Sequence, residues 1–265
     1  MKIAASTTFS LNGYNEYAHR VIESFIKYWP ETVDLYAYYD DIPLEGWRHT
    51  ADNVHYVKLE FAELLAFKDR NRNNPKQSGN GTNRDFLRDA IRFSHKVFAY
   101  IDTAMSKQAD IAIWLDGDVI THSQVTEATI LTWLNDKMAG ALLRPWSYTE
   151  TGFHIFDMRV PQAKEFMLKW QQQYTQDLVW NLPWQEPHTN KLGYTDCHTY
   201  DAVRQTFPAT LWNDLSPKGL NHPHPFVNGI LGNHMDHCKG PRKAEGRSRK
   251  SDIVVKRTEA YWQGK

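Results

Sequence analysis

The chain has 265 residues, of which 41% are apolar and 23% are charged, which is the profile of an ordinary soluble protein with room for one large α/β domain or two small ones. The formal net charge is zero, which excludes a chain that is polycationic overall. Because the N-terminal apolar stretch is too short for a signal peptide and no stretch approaches the roughly 18 apolar residues of a membrane span, we expect a cytoplasmic protein without a membrane segment. The two cysteines give no disulfide framework and favour a reducing compartment.

The N-terminal part of the chain alternates between strand and helix patterns. Residues 2–9 predict a first buried strand, and residues 15–29 have apolar side chains at helical spacing up to Pro30. Strand patterns follow at residues 33–39 and 55–59. This alternation favours a mostly parallel sheet with crossover helices.

The next segments predict a loop, a long helix and a central strand. Residues 68–84 are rich in Lys, Arg, Asn and Gly and predict a flexible loop. A helix is predicted over residues 84–105, with an apolar side formed by Phe86, Leu87, Ile91, Val97, Phe98 and Ile101. The continuous apolar run at residues 111–115 has the length and composition of a strand buried on both faces.

The remaining patterns complete a single α/β domain. Strands are predicted at residues 139–143 and 153–157, a helix at residues 161–180, and a loop-dominated stretch at residues 181–240. We therefore expect an α/β fold with a mostly parallel central sheet flanked by helices. Its predicted boundaries are a catalytic domain at 1–240, with a donor half at about 1–120 and an acceptor half at about 121–240, and a basic C-terminal extension at 241–265.

Asp116-Gly117-Asp118, directly after the apolar run, is the most informative motif. Ligands of open α/β sheets collect at the carboxyl ends of the strands. Two carboxylates one residue apart at such a position favour a hard divalent cation, Mn²⁺ or Mg²⁺, that bridges a diphosphate. The alternative is an Asp-Gly turn that only ends the strand.

Basic and histidine-rich segments provide candidate phosphate and metal contacts. Arg84, Arg88, Arg92 and Lys96 recur every four residues on one side of the helix before the motif, either facing donor phosphates or forming a solvated face. Near the C-terminus, His237 or His234 is a candidate third metal ligand. Lys239 and Arg242 are candidate diphosphate contacts, and Gly240 allows close approach of the backbone. A zinc site is disfavoured because only Cys238 accompanies these histidines.

Two further segments carry candidate catalytic carboxylates. Glu150 lies in a predicted loop between strands, where Trp146 is placed to stack on a sugar ring. Asp196 precedes Cys197 and His198 and is either a catalytic or sugar-positioning carboxylate or a helix N-cap. If sugar transfer inverts the anomeric centre, Asp196 or Glu150 is the candidate base, and if it retains, they guide a same-face attack.

Four segments in this order resemble nucleotide-sugar glycosyltransferases of the GT-A fold, in particular the family 8-like group. They are Arg92-Phe93-Ser94-His95-Lys96, Leu115-Asp116-Gly117-Asp118, Glu150-Thr151-Gly152-Phe153 and His237-x-Lys239-Gly240-Pro241. The resemblance implies a GT-A-like (Rossmann-like) domain that uses a nucleotide sugar, with a UDP-sugar as the expected donor.

The resemblance also implies roles for individual residues. Asp116, Asp118 and His237 would bind the metal, and Lys239 and Lys96 would meet the diphosphate. A basic residue on the helix, such as Arg92, would help to hold the donor. The first strand and its loop, residues 3–9 with Thr7 and Thr8, would hold the base and ribose.

The acceptor and two rival functions stay open at this stage. The family likeness implies a glycan or protein hydroxyl, whereas the eight basic residues between Lys239 and Arg257 favour DNA that carries a hydroxylated base. A nucleotidyltransferase of similar fold is one rival, although the segment after the first strand lacks the expected basic residues. A non-catalytic nucleic-acid-binding protein is the other, and it would have no use for Asp116 and Asp118.

Overall fold

The computed structural model of the chain describes residues 1–40, 49–77, 85–144, 147–182, 193–220 and 224–264. Within these residues the strands are β1 (Ile3–Phe9), β2 (Val33–Tyr39), β3 (Val54–Lys58), β4 (Ile111–Leu115), β5 (Val119–Thr121), β6 (Ala139–Leu142), β7 (Glu150–Asp157), β8 (Trp212–Asp214) and β9 (Met235–His237). The α-helices are α1 (Leu11–Gly13), α2 (His19–Tyr28), α3 (Ala62–Asn71), α4 (Ala90–Ile101), α5 (Glu127–Leu134), α6 (Pro161–Thr175), α7 (Asp196–Arg204), α8 (Pro225–Asn228), α9 (Arg242–Glu245) and α10 (Ala260–Gln263).

Seven strands form one mixed sheet in the order β3-β2-β1-β4-β7-β6-β8. Among these described strands, β7 runs antiparallel to both of its neighbours, and the other pairings are parallel. β5 and β9 form a separate antiparallel ribbon. The predicted α/β class with a mostly parallel sheet is confirmed.

The central strand β4 is buried on both faces, as its apolar run predicted. Ile111, Ile113 and Leu115 pack in one apolar cluster with α2, α5 and α8. Ala112 and Trp114 point to the opposite face and pack in a second cluster with α3, α4, α6 and α7. Side chains alternate between faces along a strand, so β4 supplies both cores and delivers Asp116 to the edge of the sheet.

Several predicted boundaries are wrong, for identifiable reasons. The predicted loop at 68–84 begins too early, because α3 continues to Asn71, and residues 78–84 lie outside the described chain. The stretch at 181–240 contains α7, whose buried Asp196, His198 and Asp201 obscure its apolar periodicity. Glu150 belongs to strand β7 rather than to a loop.

The predicted helix over 84–105 is interrupted near its start. Phe86–Arg88 forms a 3₁₀ turn, and Asp89 leaves helical geometry with φ −102° and ψ 55° before α4 begins. This break shifts the helical phase, so Phe86 is 56% exposed instead of lying on the buried side. The basic residues before and after Asp89 therefore do not share one helix face.

The C-terminal segment 241–264 packs against the β5–β9 ribbon. Asp236 on β9 is fully buried and accepts hydrogen bonds from the Ser248 backbone N–H at 2.7 Å and from the Tyr261 hydroxyl at 2.8 Å. The Tyr261 ring stacks on His122, with centroids 4.2 Å apart. Trp262 is buried and donates to the Gly232 carbonyl at 2.8 Å. In the part of the chain described, no helix has the length and apolar character needed to cross a membrane.

His154 on β7 generates a stability prediction. Its imidazole is fully buried among aromatic rings, including Tyr100 at 4.5 Å, and neither ring nitrogen has a hydrogen-bond partner among the described residues. Burial lowers the pKa of His154 well below its usual range, so the folded protein keeps this ring neutral. The unfolded chain takes up the proton below about pH 6.5, and stability is therefore lost as the pH falls through that value.

We expect His154→Phe to equal or exceed the wild type in stability at pH 7.5, by up to about 1 kcal/mol, because it removes unpaired buried nitrogens and keeps an aromatic ring. The loss of stability between pH 7.5 and 5.5 should be smaller in the variant by about 1 kcal/mol. Urea unfolding at the two pH values measures both effects. Parallel pH dependence in the two proteins would contradict this account of His154.

Candidate functional site

Asp116 and Asp118 lie at the carboxyl end of β4, in the turn that leads into β5. The Asp116 backbone N–H donates to the Gly152 carbonyl on β7 at 2.9 Å. The Asp118 carbonyl accepts from the Cys238 N–H just after β9 at 2.9 Å. The two backbone contacts fix the turn to both the sheet and the ribbon.

Lys96 on α4 neutralises the first carboxylate from inside the protein. Its ammonium is buried and lies 2.8 Å from Asp116 Oδ1, 2.6 Å from Asp196 Oδ2 and 2.6 Å from the Thr151 carbonyl. Burial alone would lower the pKa of Lys96, but the two carboxylates outweigh it and raise the pKa. Burial alone would raise the pKa of Asp116, but the nearby Lys96 and His237 outweigh it and lower this pKa. Lys96 is therefore an internal counter-ion of the site.

His237 completes a group of three potential metal ligands. Its Nε2 lies 3.1 Å from Asp118 Oδ1 and 3.7 Å from Asp116 Oδ2. One ligand atom from each of the three residues falls within 4.8 Å of the others. His237 reaches this position because β9 pairs with β5 in a register that sets Val119 opposite His237.

This group of ligand atoms fits a divalent cation. Carboxylate oxygens are the preferred ligands of Mg²⁺, and Mn²⁺ also accepts an imidazole nitrogen. Among the described residues, this is the group of acidic and histidine side chains that lie close enough together to hold a metal ion. It contains no cysteine, so it lacks the ligands of a thiolate-rich zinc site. His234 lies elsewhere, with its Nδ1 2.9 Å from the Gln124 carbonyl, so the geometry selects His237.

Two lysines from the C-terminal part stand beside these carboxylates. Lys239 contacts Glu150, and burial followed by the nearby Arg144 lowers the pKa of Lys239 to about 7. Lys243 Nζ lies 3.1 Å from Asp118 Oδ2 and 4.5 Å from the centre of the Tyr17 ring. No sequence motif predicts Lys243 as a site residue. Its place in α9, six residues after His237, is the one feature of the sequence that could have indicated it.

The carboxylates and these lysines line one cavity of about 1670 Å³ at the carboxyl edge of the sheet. The predicted residues on its wall are Thr8, Arg92, Lys96, Asp116, Asp118, Glu150, Asp196, His237, Lys239 and Gly240. Thr7 is fully buried behind this wall. The cavity also includes residues that the sequence did not predict for the site, among them Asn12, Tyr17 and Asp40.

Other candidate residues lie away from the cavity wall or outside the residues that the structure describes. Arg242 pairs with Asp252, and Arg88 donates to the backbone carbonyls of Lys76 and Pro75. Arg84 and Trp146 lie outside the described residues.

Internal ion pairs occupy much of the basic C-terminal run. Five of its eight basic residues pair with carboxylates: Lys239 with Glu150, Arg242 with Asp252, Lys243 with Asp118, Arg249 with Glu245 and Arg257 with Glu259. Arg247, Lys250 and Lys256 remain for other contacts. The run therefore serves the fold and the cavity more than it forms a uniform cationic surface.

Comparison with known proteins gives structural likeness only. No protein-family model and no curated protein sequence matches the chain. It is similar to the apo form of mouse xyloside xylosyltransferase 1, with 11% identity and a TM-score of 0.47 over 82% of this chain and 86% of that one. It is also similar to the glycosyltransferase GlyE of Streptococcus pneumoniae TIGR4, with 13% identity and a TM-score of 0.47 over 78% of this chain and 44% of that one.

A third similar structure is the bifunctional glycosyltransferase WbbM, with 10% identity and a TM-score of 0.45 over 76% of this chain and 37% of that one. The chain thus spans less than half the length of GlyE and of WbbM. Likeness at these identities and TM-scores identifies neither a donor nor an acceptor for this chain.

Gly152 provides a test of the metal-ligand geometry. A Cβ at this position would lie 2.3 Å from His237 Cε1 and 2.6 Å from Nδ1. We expect Gly152→Ala to displace the imidazole and to weaken Mn²⁺ binding about 10- to 100-fold, as loss of ligand support usually does. Calorimetric Mn²⁺ titration measures the effect.

Gly240→Ala is the matched control for this substitution. Gly240 has φ +57° with open space around it, so the added methyl group costs about 1 kcal/mol of backbone strain and meets no atom. Its Mn²⁺ affinity should stay close to that of the wild type. Equal Mn²⁺ affinity in Gly152→Ala and the wild type would overturn the assignment of His237.

Proposed function

We propose that this chain is a metal-dependent glycosyltransferase that moves a sugar from a nucleoside diphosphate sugar, with a UDP-sugar as the expected donor, to an acceptor hydroxyl. The observation that carries the proposal is the grouping of Asp116, Asp118 and His237 at the carboxyl end of β4, inside a cavity of about 1670 Å³. Ligand pockets of about 300–1,000 Å³ hold drug-sized molecules, so this cavity has room for a nucleotide sugar and part of an acceptor.

In this proposal Asp116, Asp118 and His237 hold Mn²⁺ or Mg²⁺. The ion, when bound, would stabilise the negative charge that develops on the leaving nucleoside diphosphate. Lys243, which contacts Asp118, supplies further positive charge to the diphosphate oxygens. Lys239, which contacts Glu150, is a second proposed diphosphate contact. A Cβ added at Gly240 would meet no atom within 4 Å, which leaves room for the close approach of the backbone to the diphosphate.

The nucleoside is proposed to lie over the end of β1. Thr8 lines the cavity there, together with Asn12 and Tyr17, while Asp40 follows the neighbouring strand β2. Arg92 lies exposed on the wall formed by the start of α4 and is proposed to help hold the donor. In open α/β sheets, ligands collect outside the carboxyl ends of adjacent strands, which favours this placement.

Asp196 and Glu150 are the proposed carboxylates on the sugar and acceptor side. Asp196 is buried, pairs with Lys96 and accepts a hydrogen bond from the Thr151 hydroxyl at 2.5 Å. This fixed environment suits a group that orients the sugar or the acceptor hydroxyl. The internal pairing of the basic run favours a glycan or protein hydroxyl over a hydroxylated DNA base as acceptor.

The decisive experiment measures donor hydrolysis with a panel of nucleotide sugars, with and without Mn²⁺. We expect one donor to release nucleoside diphosphate only with metal. Asp118→Asn should reduce this rate by roughly 100-fold or more, because it removes a negatively charged metal ligand. The matched control is Asp157→Asn, which changes a carboxylate at the end of β7 that lies far from the cavity, opposite Ile111 at the start of β4. This variant should behave like the wild type.

Two results would contradict the proposed function. Failure of the wild type to bind metal or any nucleotide sugar would remove it altogether. Release of pyrophosphate from a nucleoside triphosphate and a sugar phosphate would indicate a nucleotidyltransferase instead.

Lys243 separates donor binding from metal binding. We expect Lys243→Met to raise the KM for the donor about 10- to 100-fold, because a charge-assisted contact contributes about 1.5–3 kcal/mol. Mn²⁺ affinity should not fall, since the variant removes a cation that competes for Asp118. Steady-state kinetics measure the effect. Lys250→Met, at an exposed lysine of the same segment, is the control. An unchanged KM in Lys243→Met would show that Lys243 has no role in donor binding.

A further inference from the structure

A buried carboxylate faces the side of the His237 imidazole that points away from the aspartates. Nε2 is directed at Asp118 Oδ1, 3.1 Å away, while Nδ1 is directed at Glu150 Oε1, 3.6 Å away. The ring therefore lies between acidic groups at both nitrogens. Glu150 and His237 are both about 95% buried, so water competes little for either group.

Glu150 is held in place by a backbone hydrogen bond to one of its carboxylate oxygens. It is the first residue of β7, where its Oε1 accepts the Gly152 backbone N–H at 3.0 Å. Its Oε2 faces the side-chain nitrogen of Lys239. A carboxylate constrained in this way presents Oε1 to His237 at little conformational cost.

Nδ1 of His237 needs a partner. The atom is buried and has no hydrogen bond among the described residues, and at 3.6 Å the contact with Glu150 is too long to count as one. A shift of less than about 1 Å closes this gap to hydrogen-bond distance. Gly152 makes the approach possible, since a Cβ there would also lie 2.9 Å from Glu150 Oε1.

We propose that Glu150 is a positioning residue that accepts a hydrogen bond from His237 Nδ1–H and so directs the unprotonated Nε2 toward the metal. This inference rests on the metal site of the proposed function. Imidazoles that bind metals usually donate their other N–H to a carboxylate or carbonyl, which fixes both the tautomer and the ring orientation. A Glu150 that accepts this hydrogen bond orients the metal ligand and does not act as a general base.

Two substitutions distinguish a hydrogen-bond acceptor from a base. Glu150→Gln keeps an oxygen that can accept from Nδ1–H, whereas Glu150→Met keeps only the length of the side chain. A positioning role predicts that Mn²⁺ affinity falls about 10- to 100-fold in Glu150→Met and much less in Glu150→Gln. A base predicts that both variants bind Mn²⁺ like the wild type and that both lose turnover, which would overturn the inference.

A measurement on the wild type makes the test independent of how the variants fold. In ¹⁵N-histidine NMR spectra of the Mg²⁺-saturated protein, His237 should be protonated at Nδ1 and unprotonated at Nε2. The opposite tautomer would overturn the inference. A wild type that binds neither Mn²⁺ nor Mg²⁺ would remove the metal site itself, whereas tight binding in both the wild type and Glu150→Met would remove only the role of Glu150.

Discussion

The buried ammonium of Lys96 connects the parts from which the site is built. It joins helix α4 to Asp116 at the end of β4 and to Asp196 at the start of α7. The ammonium also lies over the Trp114 ring, with Nζ 5.2 Å from its centre. Loss of one partner in such a group leaves an uncompensated buried charge, which typically costs 3–5 kcal/mol. The positions of Asp116 and Asp196 therefore depend on this one cation.

Acidic and basic side chains alternate through the rest of the cavity. Asp116 and Asp118 face His237, Asp118 also meets Lys243, and Glu150 pairs with Lys239. These groups are aimed before any substrate binds, so little reorganisation is needed when an anionic diphosphate enters. This preorganised polarity, more than the shape of the sheet, supports the proposal of transfer from a nucleotide sugar.

The C-terminal segment shows how a sequence pattern changes meaning in the fold. Its basic residues read as a tail suited to an acidic polymer, yet Arg242, Arg249 and Arg257 pair with carboxylates and Lys243 enters the cavity. Ion pairing between segments distant along the chain cannot be recognised from local composition. Asp236 illustrates the same limit, because its partners Ser248 and Tyr261 lie 12 and 25 residues away.

The sequence by itself determined the central strand and the carboxylates that follow it, because a strand buried on both faces requires a continuous apolar run and ends where polar residues begin. Only the tertiary structure chose His237 over His234 and brought Lys243 and Glu150 to the proposed metal ligands. β9 has three residues, too few for a periodic signal, and its pairing with β5 sets which side chains face the cavity. Since side chains alternate along a strand, a shift of one residue in that pairing would have turned His237 away.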